Sequence, residues 1–396
     1  MKIGFFISSS TVGGEYHQTL GLTNTIKKVL KKNDEIVLIT DNKKNFDLLN
    51  SKENKIYLFK RTFLDKIFFK VTGFINKFFF LKKKLKNPFE IFLDKHQINL
   101  LIFASPTFYS LYCHHVDFVI SFWNTDIEKV KHYKEFRDRA YSYQKKILDF
   151  AVRKSFRIYV TTQTSIKDMV KYFKCKRKKL LIQNLTPYLP LLYNMNKNKN
   201  YKTFFYKLNL DKKMKWYYYP AGFWTHKNHD YILRALKILN EIKKDNKVGF
   251  IFTGADKGNL QEIKKLSSKY NLNHKIKFFN YLSDEQIISI YKYSSGIVIP
   301  TSIGRSSLPF LEALFFNKKI FYSKNILDPE YEKFSKTFNL KKPNELAILL
   351  KKGQNYKNKS SRKIYNKLCN DTKKVDNYLK VINDYKKNNF KKSLNI

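Results

Sequence analysis

"GIVIPTSIGRSSLPFLEALFF", Gly296 to Phe316, carries the reading that decides the fold. It opens with an apolar run, "GIVIPT", of the kind found in a strand buried on both faces. The loop "SIGRSSLP" follows, and "PFLEALFF" forms the first turns of a helix with Pro309 near its N1 position. Strand, loop and helix in that order are one repeat of a parallel α/β sheet.

The same alternation runs almost from end to end. Strands are expected at 2–8, 35–40, 55–59, 99–105, 117–123, 157–162 and 179–184, then at 215–221, 248–254, 275–280, 296–301 and 319–323. Amphipathic helical patterns such as "HDYILRALKILNEIKK" (229–244) lie between them. The two series are separated by "TPYLPLLYNMNKNKNYK" (186–202), proline-bearing and then polar, which reads as an interdomain connection. The expected architecture is α/β, with two Rossmann-like parallel-sheet domains facing across a cleft and ligands beyond the carboxyl ends of the strands. The expected domains are 1–190, 203–360, and 361–396, a basic C-terminal helix that packs back on the first.

Length and composition agree with this. The 396 residues suffice for two cores. The three cysteines, Cys113, Cys175 and Cys369, are odd in number and far apart, which suits a reducing compartment and gives no disulfide or metal framework. The net charge is +46, but only nine of the 78 basic residues are Arg. Nucleic-acid readers lean on Arg, so part of this excess reads as a Lys- and Asn-rich genome bias. The rest asks for an anionic partner: a membrane surface, a nucleotide or a nucleic acid. No apolar run approaches the roughly 20 residues that span a bilayer. The opening "MKIGFFIS" is better read as a first buried strand than as a signal peptide.

Two stretches carry the chemistry. The helix start after the 302–309 loop leaves backbone N–H groups unpaired and presents a partial positive charge, an anion site suited to a diphosphate. Glu312, one turn in, is the lone acid of that stretch. It either accepts hydrogen bonds from two vicinal ribose hydroxyls or serves as a helix-dipole or capping carboxylate worth roughly 0.3–1 kcal/mol. The second stretch, "YYYPAGFWTHKNHDYIL", sets "HKNH" (His226 to His229) between a buried strand and the next helix. Lys227 there is either a charge-assisted phosphate donor or one more solvated lysine. The paired histidines raise zinc, but no third acid or Cys stands at ligand spacing.

At this point a resemblance emerges. "YYYPAGFWTHKNHDYILRALKIL", "FTGADKGN" and "IKFFNYLSDEQIISIYKYSSGIVIPTSIGRSSLPFLEALFFNKKIFYS" together resemble the donor domain of glycosyltransferase family 4. These are retaining, nucleotide-sugar-dependent enzymes of the GT-B type. The likeness is strong over 216–325, and weaker over the N-terminal half through "TVGGEYHQTL" and the 122–173 segment.

The resemblance implies roles. Lys227 would bind the donor diphosphate, with backbone amides of Ser306, Ser307 and Leu308 and the loop residues Gly304 and Arg305 beside it. Glu312 would hold the ribose. The turn Phe279, Asn280, Tyr281 and Leu282 would pack along the base. Gly13 and Gly14 would let the first loop approach the donor, or else form an ordinary tight turn. Asn124 or Asp126 would stand where the family often has a His, with Asp126 the catalytic candidate; His114 and His115 are as well explained without a role.

Two positions depart from the family pattern. Gly304 stands where a Glu is frequent, as in a subset with "PTxxGxxxLPxLEA", and Gly222 stands where an Arg is frequent, a loss that Arg305 would offset. No metal and no cofactor are expected, since the donor is a substrate and the chain lacks the Asp-X-Asp pair of the other major glycosyltransferase fold.

The expected activity is metal-independent transfer of a sugar, with retention, to a cell-surface glycan of lipopolysaccharide, O-antigen or capsule type. The acceptor is a glycan or lipid-linked glycan, and the expected place is the cytoplasm, peripheral to the inner face of the membrane. "FLDKIFFKVTGFINKFFFLKKKLKNPF" (63–89) either forms an interfacial helix on anionic lipid or buries a Phe face in the first domain. Nucleic-acid binding, from the +46 charge and the aromatic content, and a catalytically silent scaffold, from Gly304 and Gly222, are the competing readings. Scarce Arg and the lack of a nucleic-acid motif weigh against the former.

Overall fold

The computed structural model describes residues 1–7, 13–30, 35–50, 55–78, 85–125, 127–130, 132–133, 135, 139–244, 247–304, 307–324, 326–352 and 361–394. They divide into two compact units. The first joins Met1–Thr125, Arg139–Thr186 and Asp371–Ile396; the second joins Asp126–Asp138 and Pro187–Asn370.

The first unit is built on seven strands: β1 (Lys2–Ile7), β2 (Glu35–Thr40), β3 (Ile56–Leu58), β4 (Leu100–Phe103), β5 (Asp117–Phe122), β6 (Arg157–Val160) and β7 (Leu180–Ile182). All pair in parallel, in the order β3-β2-β1-β4-β5-β6-β7. The order reverses between β1 and β4, which makes the carboxyl ends of those two strands the switch point of the sheet.

The helix Gly13–Leu30 and the C-terminal helix Asp371–Leu394 cover this sheet, and Tyr378, Val381, Ile382 and Tyr385 enter the same core as Ile3, Phe5 and Ile102. Polar tips fix the C-terminal helix in register. Tyr385 donates to the Asn99 carbonyl at 2.7 Å, and Lys374 Nζ donates to the Leu185 carbonyl at 3.1 Å and Thr186 Oγ1 at 3.0 Å.

The second unit has six strands, β8 (Lys215–Pro220), β9 (Val248–Thr253), β10 (Ile276–Phe279), β11 (Gly296–Ile299), β12 (Ile320–Ser323) and β13 (Lys336–Phe338). They are parallel, in the order β10-β9-β8-β11-β12-β13, with the switch point between β8 and β11. Every residue of β9 and β11 is buried, as continuous apolar runs between two helical layers require. The expectation of two Rossmann-like sheets is met, and the twelve expected strands are all present.

Three features differ from the sequence reading. The three-residue strand β13 was not anticipated. The 186–202 stretch, read as an interdomain connection, holds the unit boundary between Thr186 and Pro187 but is helical beyond it, as Tyr188–Met195 and Tyr201–Tyr206 of the second unit. Pro190 lies in the first turn of its helix, where no intrahelical N–H is lost. The basic C-terminal segment is two helices, of which Ser361–Leu368 stays in the second unit against the helix Leu308–Phe315.

Candidate active site

The two chemistry-bearing stretches leave β8 and β11, neighbouring strands at the switch point of the second sheet. One side chain ties them. Asn228 has left-handed backbone angles, φ 51° and ψ 44°, and its Nδ2 donates to the Pro300 carbonyl and to Ser302 Oγ, both at 2.7 Å. Ser302 N–H donates to the His226 carbonyl at 2.9 Å, closing a second link. Tyr219 on β8 donates to the Lys227 carbonyl at 2.9 Å, and Lys227 Nζ reaches Thr301 Oγ1 at 3.5 Å. The ammonium is therefore held at the carboxyl ends of both strands.

The start of the loop after β11 is tied to β12. Ser323 donates to the Thr301 carbonyl at 2.6 Å and Tyr322 donates to the Gly304 carbonyl at 2.9 Å. Gly304 has φ +92°, in the region that L side chains rarely adopt. A glutamate there would strain this backbone, which gives a physical reason for the departure from the family pattern. Ser307 caps the helix Leu308–Phe315, its Oγ accepting from Phe310 N–H at 3.3 Å, with Pro309 in the first turn. The Leu308 N–H at the helix start has no carbonyl partner within the helix, as the first amides of any helix do not.

Glu312 is one turn further in, with only 4% exposure. Tyr291, fully buried on the helix Asp284–Tyr293, donates to its Oε2 at 2.6 Å. The cap is thus Ser307, and the Glu312 carboxyl is oriented by a tyrosine. At the end of β10, Phe279 accepts from Gly254 N–H at 3.1 Å, Tyr281 is exposed and Leu282 is buried against the unit.

Beside Gly222, the stem of Lys257 comes within 3.5 Å of where a side chain would begin, and its ammonium lies 5.5 Å from the Trp224 ring centre. A second cation thus stands next to the position where the family often has Arg.

The two histidines around Lys227 differ. His229 is fully buried, stacked on Phe223 at 4.5 Å and against Tyr219 and Phe252. Burial, with the Lys227 charge, pushes its pKa down to about 3. His226 donates its backbone N–H to Glu135 Oε1 at 2.8 Å, and its ring Nδ1 meets the same oxygen. Burial and Lys227 hold the imidazolium form down while Glu135 opposes them. Burial alone would raise the Glu135 carboxyl, but the hydrogen bonds from His226 outweigh it and hold it below the ordinary value. The result is a neutral imidazole donating to a carboxylate. Among the described residues, no three His, Cys, Asp or Glu side chains gather as metal ligands.

The expected site residues therefore fall into three groups. Lys227, Gly304, Ser307, Leu308 and Glu312 meet at the ends of β8 and β11, with Phe279 to Leu282 at the end of β10 on the same sheet. Gly13 and Gly14 lie in the first unit, at its own switch point. There Gly13, at φ +85°, opens a helix whose Glu15 carboxylate accepts from Ser105 Oγ at 2.7 Å, tying it to the loop after β4. Asp126, Arg305 and Ser306 lie outside the described residues. His114 and His115 give their backbone N–H groups to the buried Glu90 carboxylate, each at 2.6 Å, so that pair is part of the packing.

Asn228, Tyr291 and Glu135 were not anticipated. Asn228 was legible as the neighbour of Lys227. Nothing local signals Glu135, which is 91 residues from its partner.

Residues 200–367 match the family described as glycosyl transferases group 1. No curated protein sequence matches the chain. Among solved structures, the Anabaena protein HepE in complex with UDP-glucose is 13% identical at a TM-score of 0.69, over 96% of this chain and 99% of that one. A glycosyltransferase from Rickettsia africae is 12% identical at 0.65, over 98% and 99%. WaaG, a glycosyltransferase involved in lipopolysaccharide biosynthesis, is 12% identical at 0.61, over 93% and 94%. Residues 200–367 are thus similar to the glycosyl transferases of group 1, and the chain that carries them has the two-domain GT-B fold.

Proposed function

We propose that this chain transfers a sugar, with retention and without a metal, from a nucleotide-sugar donor to a cell-surface glycan or lipid-linked glycan of the lipopolysaccharide, O-antigen or capsule type. The observation that carries the reading is the Asn228 junction. It brings the Lys227 ammonium and a capped helix start to one switch point, with the Glu312 carboxyl one turn behind.

In this reading the donor diphosphate lies on the Leu308 amide and the neighbouring amides of the loop, with Lys227 neutralising its oxygens and Arg305 or Lys257 adding charge. Glu312 takes the ribose hydroxyls, and Phe279 to Leu282 line the base. Gly13 and Gly14 let the first loop approach the donor. Asp126 is the catalytic candidate of the first half of the chain. As the glycosidic bond breaks, negative charge grows on the leaving diphosphate, and a fixed ammonium with fixed amides stabilises that charge without reorganisation. The acceptor hydroxyl gives its proton to the departing diphosphate on the face it attacks, so most of the rate comes from positioning. The reaction takes place in the cytoplasm, with the protein peripheral to the inner, anionic face of the membrane.

The test is incubation with a panel of nucleotide sugars, UDP-glucose first because HepE was solved with it. Release of nucleoside diphosphate from one donor, with the anomeric configuration of the transferred sugar kept in the proton NMR spectrum, is expected. Inverted product would overturn the retaining mechanism, and absence of turnover with every donor on membrane-extracted acceptors would overturn the activity.

A further inference from the structure

The helix Phe63–Phe78 of the first unit leaves most of its apolar side chains exposed. It turns Asp65, Phe69, Thr72, Ile75 and Asn76 toward the protein; of these Phe69 and Thr72 are buried, and Phe69 rests against Tyr112 with ring centres 4.5 Å apart. Asn76 exchanges two hydrogen bonds with Leu85, at 3.0 and 2.8 Å, and Asp65 accepts from Thr62 N–H and Oγ1, both at 2.8 Å. The outward side carries Phe63 and Leu64, each 75% exposed, with Phe74 at 58% and Ile67, Phe68 and Val71 also exposed. At 3.6 residues per turn these six fall within an arc of about 140° that holds no polar side chain. The exposed Lys66 and Lys70 form a row along one edge of that arc.

We infer that this face is a membrane-docking surface whose occupant is a bilayer containing anionic phospholipid. The inference deepens the peripheral-membrane part of the function proposed above. A soluble helix buries its apolar arc and exposes its polar one. This helix leaves most of its apolar arc exposed, which is favourable where the outer medium is acyl chain rather than water. The charge selects the occupant. A second copy would bring the same lysine row on a chain of net charge +46, so pairing the two faces sets like charges together. Anionic headgroups instead attract Lys66 and Lys70 while the Phe side chains enter below them. The helix lies in the interface rather than crossing it, since no described helix is long and apolar enough to span a membrane.

The experiment is co-sedimentation of the full-length protein with vesicles of phosphatidylcholine alone and of phosphatidylcholine with phosphatidylglycerol. Wild type is expected to partition onto the anionic vesicles. The double variant Phe68→Ser/Phe74→Ser should lose at least about tenfold in partitioning while still unfolding in one cooperative transition, since about half of each side chain is exposed. Lys66→Gln/Lys70→Gln should lose about tenfold on anionic vesicles only. Equal partitioning of wild type on both lipids, or Phe variants that bind like wild type, would overturn the inference. So would a concentration-dependent dimer, abolished by Phe68→Ser/Phe74→Ser, in a protein that leaves vesicles unbound. Nucleotide binding by the same variants separates the two claims: it stays intact if only the docking surface is wrong, and vesicle binding persists if only the donor reading is wrong.

Discussion

The Tyr291 hydroxyl donates to Glu312 Oε2 at 2.6 Å, and both side chains are buried. A carboxyl in that position is held in one orientation by its tyrosine. Tyr291→Phe removes the donor and leaves a buried acceptor without it, so stability should fall by about 1–3 kcal/mol in urea denaturation. In the proposed function the donor KM rises as well, because the carboxyl is no longer aimed.

Asn228 makes a second prediction. It combines left-handed backbone with two 2.7 Å hydrogen bonds across the β8 and β11 loops. Asn228→Gly keeps the backbone and loses only the bonds, whereas Asn228→Ala loses the bonds and adds strain of roughly 1–2 kcal/mol. Denaturation midpoints should therefore rank wild type above Gly and Gly above Ala. Equal midpoints for the two variants would show that the left-handed backbone is not retained.

Gly304 yields a third. Restoring the family's frequent acid with Gly304→Glu places a side chain on φ +92°. The expected outcome is a stability loss of roughly 1–2 kcal/mol and no gain in kcat. A variant more active and equally stable would mean that the loop accepts a carboxylate and that glycine serves another purpose.

His229 makes the pH dependence explicit. Burial, then Lys227, lowers its pKa from 6.5 to about 3. Between those values the unfolded chain binds a proton that the folded chain refuses. Stability therefore falls as pH drops from about 6.5 toward 3, at close to 1.4 kcal/mol per pH unit from this residue. His229→Phe, which keeps an aromatic ring among Tyr219, Phe223 and Phe252, should flatten the slope by about that amount in denaturation titrations. An unchanged slope would mean that His229 is protonated in the folded state.

The sheets were legible because each buried strand is a continuous apolar run. "VGFIFT" and "GIVI" can be placed without any partner in view. The edge strand β13 is three residues, only one of them buried, and such a segment has no pattern to read. The helix Tyr188–Met195 was hidden by its prolines, whose meaning depends on whether they fall in a first turn. Lys227 and Glu312 were legible from their loops and their family likeness. The side chains that hold the site, Glu135 on His226 and Tyr291 on Glu312, come from distant segments, and no local spacing encodes a contact made only by the fold. The Phe and Lys of 63–78 posed the opposite problem: composition showed an amphipathic helix, but only burial shows which side faces out.

The central claim is that Lys227 and Glu312 belong to one nucleotide site. The most direct measurement is calorimetric titration of the purified protein with UDP, GDP, ADP and CMP, beside Lys227→Ala and Glu312→Ala. The account predicts that one nucleotide binds and that each substitution weakens it by about 1–3 kcal/mol. Binding that both variants retain at wild-type strength, or no binding of any nucleotide by wild type, would contradict it.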